Sequence, residues 1–186
     1  MGRRNKQHFL PETNEVVARL EAETGCKWKW YKTSYYFSEQ GGIYNQDGNL
    51  FLKPTLNFDD KGEPTYSTID LYYKGKKENK KIYPIIARLF CKRWRYESKP
   101  KLLAHHINQN KTDDRAANLI WLTYRQHRII HNAPIEEVNT EEKLRKYLDK
   151  CGLPVGTQGG LTTMAAFEII LKEGAFEKVD KTSVLL

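Results

Sequence analysis

Four of the chain's five histidines, His105, His106, His127 and His131, fall between positions 105 and 131 of a 186-residue sequence, where even scatter would place fewer than one. Imidazole is a common metal ligand and titrates near neutral pH, so the cluster points to a metal site, to acid–base chemistry, or to both. A single histidine would more often be structural. Four with this spacing change that balance.

The surrounding sequence predicts how these side chains are held. KLLAHHI reads as a short apolar strand, and the polar run Asn108–Ala117 as a loop. Asn118–Thr123 (NLIWLT) reads as a second strand, and Tyr124–Asn132 as a helix with Thr123 as its N-cap. On that helix His127 and His131 are four apart and share a face. Neighbouring strand residues point to opposite faces, so His105 and His106 divide between two directions. One can bind metal while the other reaches a substrate.

This strand–loop–strand–helix pattern resembles the HNH (ββα-metal) nucleases. The resemblance rests on the His105-His106 pair, the Asn-x-x-Asp-Asp-Arg loop Asn110–Arg115, Asn118-Leu119 at the second strand, and His127-x-x-x-His131. It implies His105 as first metal ligand, His106 as the general base that activates water, and Asn118 as the residue that ties the loop and holds the base. It implies His127 as second ligand, with His131 a third ligand or a phosphate contact. Many relatives carry an Asp before the base and an Asn or Asp on the helix, a set suited to Mg²⁺. Here both positions are histidine, and an all-nitrogen set favours Zn²⁺, Ni²⁺ or Co²⁺. One divalent ion (Zn, Ni, Mg or Mn) is therefore the implied cofactor. Asp113 and Asp114 read as loop braces. Arg115 divides between bracing and phosphate contact.

Charge supports a polyanionic partner. The net charge is +8, and it is uneven: residues 1–133 carry 24 basic and 14 acidic side chains, residues 134–186 only 7 and 9. The densest run, Lys74–Lys101, holds 11 basic residues against 2 acidic. A field of this kind suits nucleic acid, although a basic surface can also serve solubility alone. Lys76, Lys77, Lys80, Lys81, Arg93, Arg95, Arg115, Arg125 and Arg128 are the expected contacts to double-stranded DNA. Cys26, Cys91 and Cys151 are odd in number and widely spaced, which argues against a zinc knuckle or a disulfide framework. A reducing interior is the expectation, and the resemblance implies the cytoplasm of a bacterial or phage-infected cell. No apolar run is long enough to span a membrane, and the polar start MGRRNKQHFL lacks a targeting pattern.

In chain order, Pro11–Thr24 reads as a packing helix stopped by Gly25. Its glutamates make it a poor DNA contact. The aromatic and basic residues from Lys27 to Phe37 read as strands that bury their rings; the other reading is a surface that stacks on bases. Strands follow at Ile43–Tyr44, Leu50–Leu56 and Tyr66–Tyr73, with Asp47-Gly48 as a hairpin signal and KGKKENK as a charged turn. Together they predict an antiparallel sheet with a basic edge of the type that enters DNA grooves. Pro84–Trp94 reads as an amphipathic helix. FSEQGGIYNQDGNLFLKP followed by IYPIIARLF is similar to the sheet and helix that precede the motif in free-standing HNH homing endonucleases of phage and introns. Asn139–Cys151 and Thr162–Lys172 read as helices flanking the linker GLPVGTQGG.

The expected fold is α+β: a small antiparallel β-sheet region plus a ββα-metal motif, with flanking helices. The expected division is 1–32 (helix and basic/aromatic segment), 33–98 (β-rich DNA-binding region), 99–133 (ββα-metal motif) and 134–186 (helical region). The resemblance implies a phosphodiester hydrolase that nicks or fully cuts DNA, as a monomer or homodimer. The alternatives are a non-catalytic DNA-binding protein on a metal-stabilised scaffold, and a ribonuclease or nonspecific toxin nuclease.

Overall fold

The computed structural model describes residues 11–93, 101–138 and 140–152. The expected helix Thr162–Lys172 and Arg95 lie outside them. The chain is an α+β protein that divides into two units. The first comprises residues up to Phe90 together with Asp114–Ala117; the second comprises Cys91–Asp113 and the chain from Asn118 onward.

The first unit opens with helix α1 (Pro11–Thr24). Gly25 ends it in the left-handed conformation (φ +69°), its N–H donating to the Glu21 carbonyl at 2.9 Å, as a helix C-terminus requires of a residue without Cβ. An antiparallel sheet follows in the order β1 (Trp28–Lys32), β2 (Tyr35–Ser38), β3 (Ile43–Asn45), β4 (Leu50–Phe51). Leu20 of α1 packs with Trp28, Tyr36 and Tyr44, all buried, with Val16, Val17 and Trp30 at the margin. Most of the aromatic run thus belongs to the core, as its β propensity predicts.

A second antiparallel sheet has the order β5 (Thr55–Phe58), β6 (Pro64–Tyr73), β7 (Lys76–Lys81). Two expectations are corrected here. The single strand Leu50–Leu56 is two strands in different sheets, broken around Pro54, which has no N–H to offer a ladder. The supposed charged turn KGKKENK is mostly strand β7, in register with β6 from Thr68↔Lys81 to Tyr73↔Lys76. Only Lys74 and Gly75 turn, both at positive φ. The β3–β4 hairpin forms as predicted, but its left-handed residue is Asn49 (φ +47°). Helix α2 (Tyr83–Phe90) buries Ile85, Ile86 and Ala87 and stops short of the predicted Trp94.

The second unit contains strands β8 (Leu102–His106) and β9 (Leu119–Thr123) and helices α3 (Tyr124–Asn132), α4 (Ile135–Val138) and α5 (Glu141–Lys150); a 3-10 turn at Ala116–Asn118 precedes β9 in the chain. Its core is Ile107, Leu122, Ile130, Val138, Leu144 and Leu148. The predicted apolar face of α5 is therefore the one buried, and each leucine so placed contributes about 1.5–3 kcal/mol. Among the described residues no helix is long and apolar enough to cross a membrane.

Candidate metal centre

Strands β8 and β9 pair antiparallel, with His105 opposite Ile120 and His106 opposite Leu119. Twelve residues separate the two strands, far more than a tight turn needs, so side chains must order the connection. Asn118 does most of this. Its Nδ2 donates to the Asp113 carbonyl at 2.9 Å, its Oδ1 accepts from the Asn108 N–H at 3.0 Å, and its own carbonyl accepts from the Ile107 N–H at 2.8 Å. Asn108 also donates from Nδ2 to the Asp113 carboxylate at 3.1 Å, so Asp113 braces the loop as expected. Asn108 was not singled out in the sequence; its place at the start of an Asn- and Asp-rich run was the available signal.

Helix α3 follows β9 without a linker because Thr123 serves both elements. Its Oγ1 accepts from the Gln126 N–H at 3.2 Å, while the Gln126 Oε1 accepts from the Thr123 N–H at 2.7 Å. This reciprocal pair satisfies two otherwise orphaned donors and fixes where the helix starts. Gln126 and Ile130 are buried, and the four-residue spacing puts His127 and His131 together on the adjoining face.

That phase brings three imidazoles to one point. Ring centroids lie 5.1 Å apart for His105 and His127, 5.0 Å for His105 and His131, and 4.4 Å for His127 and His131. One nitrogen from each falls within 4.8 Å of the other two. Nitrogens around a tetrahedral zinc with bonds of about 2.0–2.1 Å lie roughly 3.4 Å apart, so small side-chain rotations suffice to close the set. His105 is only 4% exposed, and its Nε2 is buried without a hydrogen-bond partner. A buried polar atom left unpaired costs about 1–3 kcal/mol, which a coordinated ion would offset. The donor set, its convergence and the orphaned nitrogen all fit a divalent cation.

Electrostatics favour the ligating form. Burial, then His131, His127 and His106, push the His105 pKa down to about 3. Burial lowers His127, and burial with His127 and Lys111 lowers His131. Neutral imidazole is the form that binds metal. His106, the next residue on β8, is also buried, and strand alternation sends it to the other face.

The expected DNA contacts have varied surroundings. In the first unit, Lys76, Lys77, Lys80 and Lys81 all lie on β7. Lys77 pairs with Asp70 at 2.9 Å, Lys80 with Glu78 at 3.3 Å, and the Lys81 ammonium sits 4.0 Å over the Tyr66 ring. Arg115 is exposed. In the second unit, Arg93 stacks over Trp121 at 4.1 Å and Arg125 donates to the Cys151 carbonyl. Arg128 is exposed beside Tyr147 and Asn132 in a cleft between α3 and α5.

No family model and no curated protein matches the sequence. Among solved structures, the chain is similar to the HNH homing endonuclease I-HmuI, described for its DNA binding and cleavage. Identity is 23% and the TM-score 0.46, over 66% of this chain and 66% of that one, so the match spans just under two thirds of the endonuclease.

Proposed function

We propose that the chain is a metal-dependent DNA endonuclease of the ββα-metal (HNH) type, hydrolysing phosphodiester bonds in the manner of the homing enzymes. The observation that carries this reading is the convergence of His105, His127 and His131 around a buried, unpartnered Nε2. A divalent ion held by His105, His127 and His131 would supply Lewis acidity toward the phosphate and the leaving 3′ oxygen. His106 takes the proton of the attacking water. Asn118 positions that base through the backbone, since it bonds the main chain of Ile107 and Asn108, the two residues that follow His106. The basic side chains of β7, with Arg93, Arg95, Arg115, Arg125 and Arg128, neutralise phosphates of the duplex.

Incubating supercoiled plasmid with Mg²⁺, Mn²⁺, Co²⁺, Ni²⁺ or Zn²⁺ tests the proposal. Nicked circles identify single-strand cleavage, and linear product identifies paired cuts. His106→Ala should retain metal but cut at least about 100-fold more slowly, the usual worth of a general base. Intact plasmid with every ion, while DNA is still bound, would leave a metal-stabilised binding scaffold in place of the enzyme.

A further inference from the structure

The aromatic and basic run that begins at Lys27 is not wholly consumed by the core. Strand β1 is the edge of its sheet, and beside it lies an open cleft of about 500 Å³, lined among others by Val17 of α1, by Lys29, Trp30, Tyr31 and Lys32 of β1, and by Arg88 of α2. That volume lies within the ~300–1,000 Å³ common for small-ligand sites.

The lining carries three cations and no carboxylate. Lys29 donates to the Leu89 carbonyl at 2.7 Å, an uncharged acceptor that leaves its charge unneutralised. Arg88 is exposed and makes no hydrogen bond or ion pair among the described residues. Lys32 lies 3.7 Å from Glu78, which Lys80 also approaches at 3.3 Å. Trp30 and Tyr31 are half-buried: Trp30 is anchored by its indole N–H to the Thr33 carbonyl at 2.6 Å, and Tyr31 by its edge-on contact with Phe37. The Tyr31 ring, with the Lys32 ammonium 5.6 Å from its centroid, lies beside Arg88 and Lys29, two cations without a carboxylate partner among the described residues, the latter also 4.9 Å from the Phe90 ring; together they offer a stacking surface and a phosphate seat in one place.

From this juxtaposition we propose that the cleft binds an unpaired nucleotide of a nucleic-acid strand, its base on the Tyr31 ring and its phosphate at Arg88 and Lys29. The proposal rests on the nucleic-acid reading above. A continuous duplex is the poorer occupant, because α1, whose Val17 lines the cleft, carries Glu15, Glu21 and Glu23. Of these, Glu21 is engaged with the Trp28 N–H at 3.1 Å, and Glu23 lies 3.9 Å from Arg19. A single flexible strand can enter while avoiding Glu15.

Fluorescence anisotropy with the full chain, in chelator to prevent cleavage, provides the test. The probes are a short labelled single strand, the same strand with abasic sites, and the matching duplex. Arg88→Ala should weaken single-strand binding about tenfold, as loss of a charge-assisted phosphate contact does. Tyr31→Leu should weaken it at least about fivefold, the lower end for loss of one stacked base, while Tyr31→Phe and binding of the abasic strand to Tyr31→Leu stay at parental values. Circular dichroism of each variant should match the parent. Parental affinity for the single strand in both Arg88→Ala and Tyr31→Leu would overturn the cleft assignment while leaving the nuclease reading intact. Equal losses on abasic strand and duplex would overturn the stacked base in favour of a plain phosphate contact. Failure of the parent to bind any probe would remove the nucleic-acid reading itself.

Discussion

Replacing His105 with leucine separates a metal ligand from a core histidine, because the two roles predict opposite changes in stability. In the metal-free protein His105 is 4% exposed with an unpartnered Nε2. That orphan costs about 1–3 kcal/mol, and a leucine of similar volume removes it. His105→Leu should therefore be no less stable than the parent in chelator, and more stable by up to about that amount. Added ion reverses the order. At a free concentration 100 times its Kd, a metal that binds only the folded chain stabilises it by about 2.7 kcal/mol. For a domain of 60–100 residues, at about 4–8 °C per kcal/mol, that raises the midpoint of the metal-bearing unit by roughly 10–20 °C. The assay is thermal unfolding by circular dichroism, parent and variant, in chelator and in Zn²⁺ or Ni²⁺. The parent should overtake the variant on adding ion, and the variant should not respond. A variant destabilised by several kcal/mol in chelator, or a parent indifferent to every ion, would refute the reasoning.

Two further outcomes follow from the same geometry. Asn118→Ala deletes an acceptor and a donor that each bond backbone across the loop; it should cost about 1–3 kcal/mol and lower the cleavage rate while Asn118→Asp, which keeps the acceptor, recovers part of it. Acid should destabilise the metal-free protein in a defined window. His105 holds its proton with a pKa of about 3 in the folded chain against an ordinary 6.5, so between these values the unfolded chain takes up a proton that the folded one refuses. Stability should fall by about 1.4 kcal/mol per pH unit as pH drops through that range, with His127 and His131 acting in the same direction. A denaturation midpoint unchanged from pH 7 to pH 5 would contradict the buried neutral imidazole.

The site was legible because its determinants are local. A four-residue spacing on one helix, a cap at Thr123 and a strand on either side of a polar loop are all written within thirty residues, and the structure reproduces each of them. The apolar face of α5 was equally readable from Leu144, Tyr147 and Leu148. The sheets of the first unit were less so. Strand β7 is KKENKK, whose residues do not favour strands; pairing with β6 over six positions makes it one. That partner is a tertiary fact, not a property of the segment. The break at Pro54 was readable in principle, since proline cannot complete a ladder, but the flanking apolar residues masked it. Nor does sequence reveal which rings in a packed aromatic run keep a face toward solvent, which is why the cleft beside Tyr31 emerges only from the fold.

X-ray absorption on zinc-loaded protein interrogates the metal centre most directly. One ion per chain, with three imidazole nitrogens at about 2.0–2.1 Å and no sulfur shell, falling to two imidazoles in His127→Ala, is the result expected from the convergence of the hairpin and the helix. Substoichiometric zinc, a cysteine sulfur in its first shell, or an unchanged spectrum in His127→Ala would contradict it.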